Sequence, residues 1–384
     1  MKDIVVRIIK RILLWPIHIM NNRMMVGDLK EYISANPELR ERKEGEKEWR
    51  EYWKRLNGKK SSILSYRVFA KYLKMNMWGG VELSRIVPAD LSRNYIEPIL
   101  NPGDTEYFYN DKNSFELFLP KEYFPKTYFR CMHGKNYDGD YNFVRPENFM
   151  DCFKGVDALI VKPTTSLGGR GVEKYRREGE KFVNKEGEKM DLDFLNKVHK
   201  GNYLIQECFE QSDFMAQFNK SSVNTIRVVT YRDVKTGEIH VLGSIVRMGS
   251  KGAVIDNLAG GGVFVGIEKD GKFKKYVVSH SGKILTTHND IDFSQREFVL
   301  PNYDKVKELA INVSKRMPHM SLFAHDIVLD KDNNPKLIEV NTKCFNSGLL
   351  QFIQGATFGE YTDDIIEYVK GKEQKPRIIV TIEN

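Results

Sequence analysis

The segment Leu322–Asn341 constrains this chain more than any other stretch. Two β-type runs, Leu322–Asp330 and Lys336–Asn341, flank Lys331-Asp332-Asn333-Asn334, which has the composition of a turn. With those four residues as the loop, Asp330 pairs with Pro335 and the register sets Asp326 opposite Glu339. Directly opposed residues on antiparallel strands have Cβ atoms about 4.5–5.5 Å apart. Asn341 comes two positions after Glu339 and shares its face. Asp, Glu and Asn together offer only oxygen ligands, a donor set suited to Mg²⁺ bound along with phosphates. Ile327, Ile338 and Val340 then point to the other face and are predicted core. An ordinary hairpin with a polar solvent face accounts equally for Asp330, Lys331, Asp332 and Asn333. It accounts less well for Glu339 and Asn341, because Leu337–Val340 otherwise reads as buried.

A second constellation runs from Val161 to Val172, where a β-run ends in Lys162 and a small-residue loop follows. Glycines let backbone N–H groups approach an anion closely, and the lysine supplies a compact positive charge for phosphate oxygens. The order of residues is not that of a Walker A loop. A tight β-turn beside a solvated lysine fits the same residues. Between the two constellations, Tyr203–Ile205 is an apolar strand that ends in Gln206-Glu207, with Asp213 shortly after. Such a strand end either lines a ligand or simply meets solvent. Arg227 sits inside the β-pattern Thr225–Thr230, and a buried arginine needs a partner. Either an internal carboxylate or a ligand phosphate would serve. A third glycine cluster, Asp256–Gly262, reads as a substrate loop or a flexible turn. His280 and His288 show no metal-ligand spacing and read as structural.

Other runs with strand character are Asp157–Lys162, His240–Val246 and Gly262–Ile267, with a helical stretch at Lys305–Arg316 and a hairpin-like turn at Lys269-Asp270-Gly271. Strands mixed with helices and joined by such turns predict an α+β fold with antiparallel sheets. Residues 1–110 read as mainly helical, and Asn101-Pro102-Gly103-Asp104 is a turn and a candidate boundary. A chain of 384 residues is long for one compact domain and suggests two or three sub-domains. The tail after Gly371 ends in Ile378-Ile379-Val380 and is read as an edge strand or loose chain.

Composition narrows the class. Hydrophobic content of 41% and charged content of 29% fit a soluble, ordered chain. The net charge of +8 admits nucleic acid, an anionic membrane or a phosphate-bearing ligand. Without zinc-finger spacing or aromatic ribonucleoprotein motifs, no specific nucleic-acid partner is expected. Cys131, Cys152, Cys208 and Cys344 are scattered without a CxxC pair and read as reduced cytosolic thiols. Within residues 1–15, Ile4, Val5, Ile8, Ile9, Ile12 and Leu13 recur at helical spacing, with Lys2, Arg7, Lys10 and Arg11 mostly opposite. The run is too short and too polar to span a bilayer. It reads as a basic amphipathic helix on an anionic membrane surface or as a helix packed on its own domain. The expected location is the cytoplasm, with peripheral contact at the inner membrane face under the first reading.

Taken in order, the lysine strand with its glycine loop, Gln206-Glu207, Asn224-Thr225-Ile226-Arg227, Asp326 and Glu339-Val340-Asn341 resemble the ATP-grasp superfamily from about Lys112 to Tyr368. Within it, Asn257–Gly262, the segment around His280, and Glu339–Thr342 with Gln351 downstream are similar to the sugar-transfer-associated group of bacterial polysaccharide clusters. The resemblance implies an ATP-grasp fold of two α+β sub-domains, a lid over 111–203 and a catalytic half over 204–384, behind a helical region 1–110. It implies ATP and Mg²⁺ as cofactors and a carboxylate–amine ligase acting on small molecules such as a sugar acid, an amino acid or an amino sugar. Lys162 and an earlier lysine, Lys112 or Lys126, would contact phosphates, under a lid formed by Ser166, Gly168, Gly169 and Gly171. Gln206 and Glu207 would line the adenine pocket, and Asp213 would reach the ribose. Asp326, Glu339 and Asn341 would hold the metal. Arg227 would stabilise the transferring group. A kinase-like phosphotransferase on the same fold, or a nucleotide-binding scaffold without turnover, is the alternative.

Overall fold

The computed structural model describes residues 29–41, 43–56, 61–76, 82–165, 169–252, 261–343 and 348–372. The N-terminal amphipathic stretch, Ser166 and Gly168, Asn257–Gly260, Cys344 and the Ile378–Val380 tail lie outside the described residues. Two antiparallel sheets organise the rest. The smaller is built from β1 (Thr127–Met132), β2 (Lys135–Asp138), β3 (Ala158–Pro163), β4 (Glu173–Glu178), β5 (Lys181–Val183) and β6 (Tyr203–Glu207), in the order β2-β1-β6-β3-β4-β5. The larger begins with β7 (Thr225–Arg232), β8 (Ile239–Met248), β9 (Val263–Ile267), β10 (Phe273–Ser279) and β11 (Ile284–Leu285). A separate short ladder, β12 (Thr287–His288) and β13 (Ile291–Asp292), precedes its last two strands, β14 (Leu322–Leu329) and β15 (Pro335–Asn341). The larger order is β11-β10-β9-β8-β7-β14-β15.

The larger sheet is covered on both faces, which is why β14 is buried at every residue. One face packs on the helix Tyr303–Lys315, whose buried Tyr303, Val306, Leu309, Ala310 and Val313 recur at helical spacing. The other face packs on the N-terminal helices and the C-terminal helices Gly348–Ile353 and Thr362–Val369. The N-terminal region is therefore a layer of this core: Trp49, Trp53, Tyr66 and Leu73 share one cluster with Val229, Tyr231, Ile245 and Ala324. The turn at Asn101 is present, but Asn101 is fully buried. Its amide nitrogen donates to Leu322 O at 2.5 Å and Thr342 O at 2.7 Å, and its oxygen accepts from Ser321 N and Leu322 N. It thus ties the helical layer to the strands that carry Asp326 and Glu339. The helix Gly348–Ile353 presses on the sheet where Gly243 and Gly266 leave room, since a Cβ on Gly266 would run into Ile353. Gln351 exchanges hydrogen bonds with the backbone of Val87, a structural staple.

The hairpin differs in detail from the sequence reading. Leu329, not Asp330, pairs with Pro335, one residue short of the predicted register. A bulge between Asp326 and Ile327 restores it, so Asp326 does pair with Glu339 and Ala324 with Asn341. The bulge leaves Ile338 only half-buried, and Leu337 takes the core position predicted for it. The sequence reading also passed over β1, β2, β4, β5, β10 and β11. β4 shows why: in Glu-Lys-Tyr-Arg-Arg-Glu only Tyr175 is buried, so pairing with β3 rather than hydrophobic pattern makes it a strand. Among the described residues no helix is long and apolar enough to cross a membrane. Cys131, Cys152 and Cys208 are free thiols.

Candidate active site

Strand register brings the site together. Glu339 on β15 pairs with Asp326 on β14, which pairs with Arg227 on β7. Paired residues share a face, so an acid, an acid and a base stand in one row across three strands. Arg227 grips Asp326 with two parallel bonds, Nε to Oδ1 and Nη2 to Oδ2, both 2.8 Å. Arg247 on β8 adds its Nη1 at 3.7 Å from Oδ2. Asn341 Nδ2 donates to the same oxygen at 3.4 Å. Burial raises the Asp326 carboxyl, but the charges of Arg227 and Arg247 outweigh it and hold the group down at about 2.

The smaller sheet meets this row through Lys112. Its ammonium lies 3.1 Å from Glu339 Oε1 and donates to Thr164 O at 3.4 Å, just past the end of β3. Its backbone N–H also donates to Thr164 O. Lys162 projects from β3, buried, in a row with Leu204 of β6 and Arg130 of β1. Among the described residues no hydrogen bond or ion pair holds the Lys162 ammonium. Desolvation, reinforced by the charge of Lys112, lowers it to about 8.

Gln206, at the end of the same face, is buried. Its Nε2 donates to Thr127 Oγ1 at 2.9 Å and to Pro125 O at 3.4 Å, while its Oε1 has no partner among the described residues. Glu207 is spent on the backbone: Oε1 accepts from Lys126 N, and its own N–H donates to Lys126 O, each at 2.9 Å. Gly169 and Gly171 both take positive φ in the turn after β3. Asp213 lies exposed in the first turn of the short helix Asp213–Ala216, outside the buried cluster. Of the two early lysines, Lys112 is in the cluster, whereas Lys126 is exposed with its ammonium over the Tyr128 ring. His288 Nε2 donates to Gly249 O at 3.1 Å, and burial lowers its pKa, in keeping with a structural histidine.

Four residues of the site were not singled out in the sequence. Arg247 and Arg130 each lie within a β-pattern, the same signal that marked Arg227. Glu116 and Thr127 carried no such signal, since their roles come from contacts between distant segments.

The donor set fits a magnesium–phosphate ligand. Asp326 and Glu339 stand opposite each other on β14 and β15 with the Asn341 amide beside Asp326, and among the described residues no cluster of three acidic, histidine or cysteine side chains forms a complete metal cage. Mg²⁺ commonly takes one or two carboxylates and completes its shell with phosphates and water. Asp326 Oδ1 keeps a lone pair beyond its bond to Arg227. The Gln206 oxygen and the Lys162 ammonium, both without a partner among the described residues, are an acceptor and a cation suited to such a ligand.

No curated protein matches the sequence significantly. Solved structures to which the chain is similar include the ATP-grasp ligase PsnB complexed with a phosphomimetic precursor variant, Mg and ADP, at 14% identity and TM-score 0.39, covering 71% of this chain and 62% of that one. An L-amino acid ligase from Bacillus licheniformis has 14% identity and TM-score 0.35, with 63% and 42% coverage. D-cycloserine synthetase DcsG has 12% identity and TM-score 0.41, with 71% and 74% coverage. The chain thus spans less than two thirds of the first two. The profile of the family described as sugar-transfer associated ATP-grasp matches residues 90–365, more than half of the chain. That match takes in both sheets and every residue of the charged row, and the chain belongs to the sugar-transfer associated ATP-grasp family.

Proposed function

We propose that this chain is a magnesium- and ATP-dependent ligase that activates a carboxylate as an acyl phosphate and joins it to an amine. Its setting is surface polysaccharide or related metabolite biosynthesis, with a sugar acid, amino acid or amino sugar among the substrates, a reading supported by the family's description. One observation carries the proposal: the row Glu339–Asp326–Arg227 on one sheet lies against Lys112, with the buried Lys162 beside it. Residues 111–203 act as the lid sub-domain and 204–384 as the catalytic one. Free thiols and the use of ATP fit a cytoplasmic setting.

In this reading Lys112 and Lys162 bind phosphate oxygens, and Gln206 meets the adenine edge. The glycine loop, including Ser166, Gly168, Gly169 and Gly171, closes over the phosphates and keeps water from the acyl phosphate. Bound magnesium, held by Asp326, Glu339 and Asn341, supplies charge neutralisation on the phosphate oxygens. A carboxylate oxygen attacks the γ-phosphorus in line, the bond to the β–γ bridging oxygen breaks, and ADP leaves. The amine nitrogen then adds to the acyl carbon, phosphate departs, and the nitrogen loses a proton. Arg227 spends Nε and Nη2 on Asp326 and keeps Nη1 for the transferring group.

The test is a panel of acids and amines screened for ADP release, with hydroxylamine added to trap an acyl phosphate as its hydroxamate. The proposal expects a hydroxamate whenever the right acid is present. ADP release with a stable phosphorylated acceptor and no hydroxamate would make it a phosphotransferase instead. Glu339→Ala is expected to lower turnover by at least about 10²-fold while the fold is retained; full turnover in that variant would remove the basis of the assignment.

A further inference from the structure

Gln206 is the end of a hydrogen-bonded chain, and the direction of every bond in that chain can be read. Arg130 is fully buried, and its Nη2 lies 2.6 Å from Glu116 Oε1, an ion pair without hydrogen-bond alignment. The Arg130 guanidinium also sits over the Tyr141 ring, 4.4 Å from its centroid. Tyr141 in turn donates to Asn113 O at 2.7 Å. Glu116, paired with a cation, is an acceptor only. Thr127 therefore donates its hydroxyl proton to Glu116 Oε1, at 2.6 Å. With that proton committed, the Thr127 oxygen can only accept from Gln206, and it takes the Nε2 amide at 2.9 Å. Pro125 O, which can only accept, lies on the same side of the amide. The Gln206 amide is thereby locked in one of its two flips. Its Nε2 faces the strand, and its Oε1 is left buried, a bare acceptor with no partner among the described residues.

A buried acceptor without a donor is unfavourable until a ligand supplies one. Here the ligand must carry an N–H, not a carbonyl oxygen, at the edge that meets Gln206. Among purine nucleotides this favours the 6-amino base over the 6-oxo base.

We propose that Thr127 and Glu116 are positioning residues that set base selectivity, by fixing the Gln206 amide so that its oxygen selects an amino-bearing purine and rejects an oxo-bearing one. The proposal rests on the nucleotide reading of the site. Thr127 does not touch the nucleotide; it acts through the flip of Gln206. Removing its hydroxyl frees the amide to turn over and offer Nε2 to a carbonyl.

The experiment titrates Mg-ADP and Mg-IDP into the full chain by calorimetry. Inosine diphosphate replaces the 6-amino group with a 6-oxo group, gains a proton at N1 and leaves sugar and phosphates unchanged. Wild type is expected to bind ADP at least about tenfold tighter than IDP. Thr127→Val, nearly the same shape, is expected to shrink that ratio at least about fivefold, mainly by tightening IDP. Thr127→Ser, which restores the hydroxyl, is expected to recover the wild-type ratio, and Gln206→Leu to bring it near one. A purely structural role for Thr127 would weaken both nucleotides alike and leave the ratio fixed. An unchanged ratio in Thr127→Val or Gln206→Leu overturns the proposal, as does equal binding of both nucleotides by wild type. Wild type binding neither nucleotide would instead remove the nucleotide reading on which it stands.

Discussion

The two sheets hold their charges in opposite ways. On the larger sheet every charge of the row has a partner: Asp326 is held by Arg227 and Arg247, and Glu339 by Lys112. On the smaller sheet Lys162 is buried with no partner among the described residues, and its ammonium is destabilised by burial and by Lys112. The first arrangement supports the fold; the second opposes it. A chain keeps an unfavourable buried cation where a ligand compensates for it, and the contrast therefore marks Lys162 as a ligand-facing group more strongly than its position alone.

Substitutions that break this contrast have opposite signs. Asp326→Asn leaves the half-buried Arg227 with half of its interaction and is expected to destabilise the fold by about 2–4 kcal/mol, read as a lower denaturant midpoint. Stability close to wild type would mean that the pair contributes little. Lys162→Met removes an uncompensated charge and is expected to raise stability by about 1–3 kcal/mol at pH 7, while turnover collapses. The sign follows from the lowered pKa of about 8. Between that value and the ordinary lysine range the unfolded chain binds the extra proton, so wild-type stability rises with pH across this window and the variant's does not. A large loss of stability in Lys162→Met would show that the lysine is paired after all. Gly266→Ala touches only packing: the new Cβ meets Ile353, and a loss of about 1–2 kcal/mol without change in nucleotide affinity is expected. A change in affinity there would show that the pressed helix Gly348–Ile353 also shapes the site.

The same contrast explains what could be read from the sequence. The β14–β15 hairpin is local, so a short turn and two acids on one face were enough to predict that Asp326 opposes Glu339. Even there the outcome depended on a bulge that residue patterns do not show. Arg227, Lys162 and the Gln206 strand end were visible as polar residues inside apolar runs. The smaller sheet was mostly invisible, because β4 is nearly all charged and its strands gain their form from partners distant in the chain. The choice between Lys112 and Lys126 was also a matter of tertiary placement, since only Lys112 reaches Glu339. Glu116 and Arg130 lie fourteen residues apart and meet only across the fold, so their pairing left no mark in either segment.

In the proposed site a metal-nucleotide complex binds between the carboxylates of the larger sheet and the lysines Lys112 and Lys162. The most direct measurement is the affinity of ADP with and without Mg²⁺, for wild type and for Glu339→Ala. Mg²⁺ is expected to tighten wild-type binding at least about tenfold, and Glu339→Ala to abolish most of that gain. Binding that ignores Mg²⁺ in the wild-type chain, or a Mg²⁺ effect that survives intact in Glu339→Ala, would contradict the account.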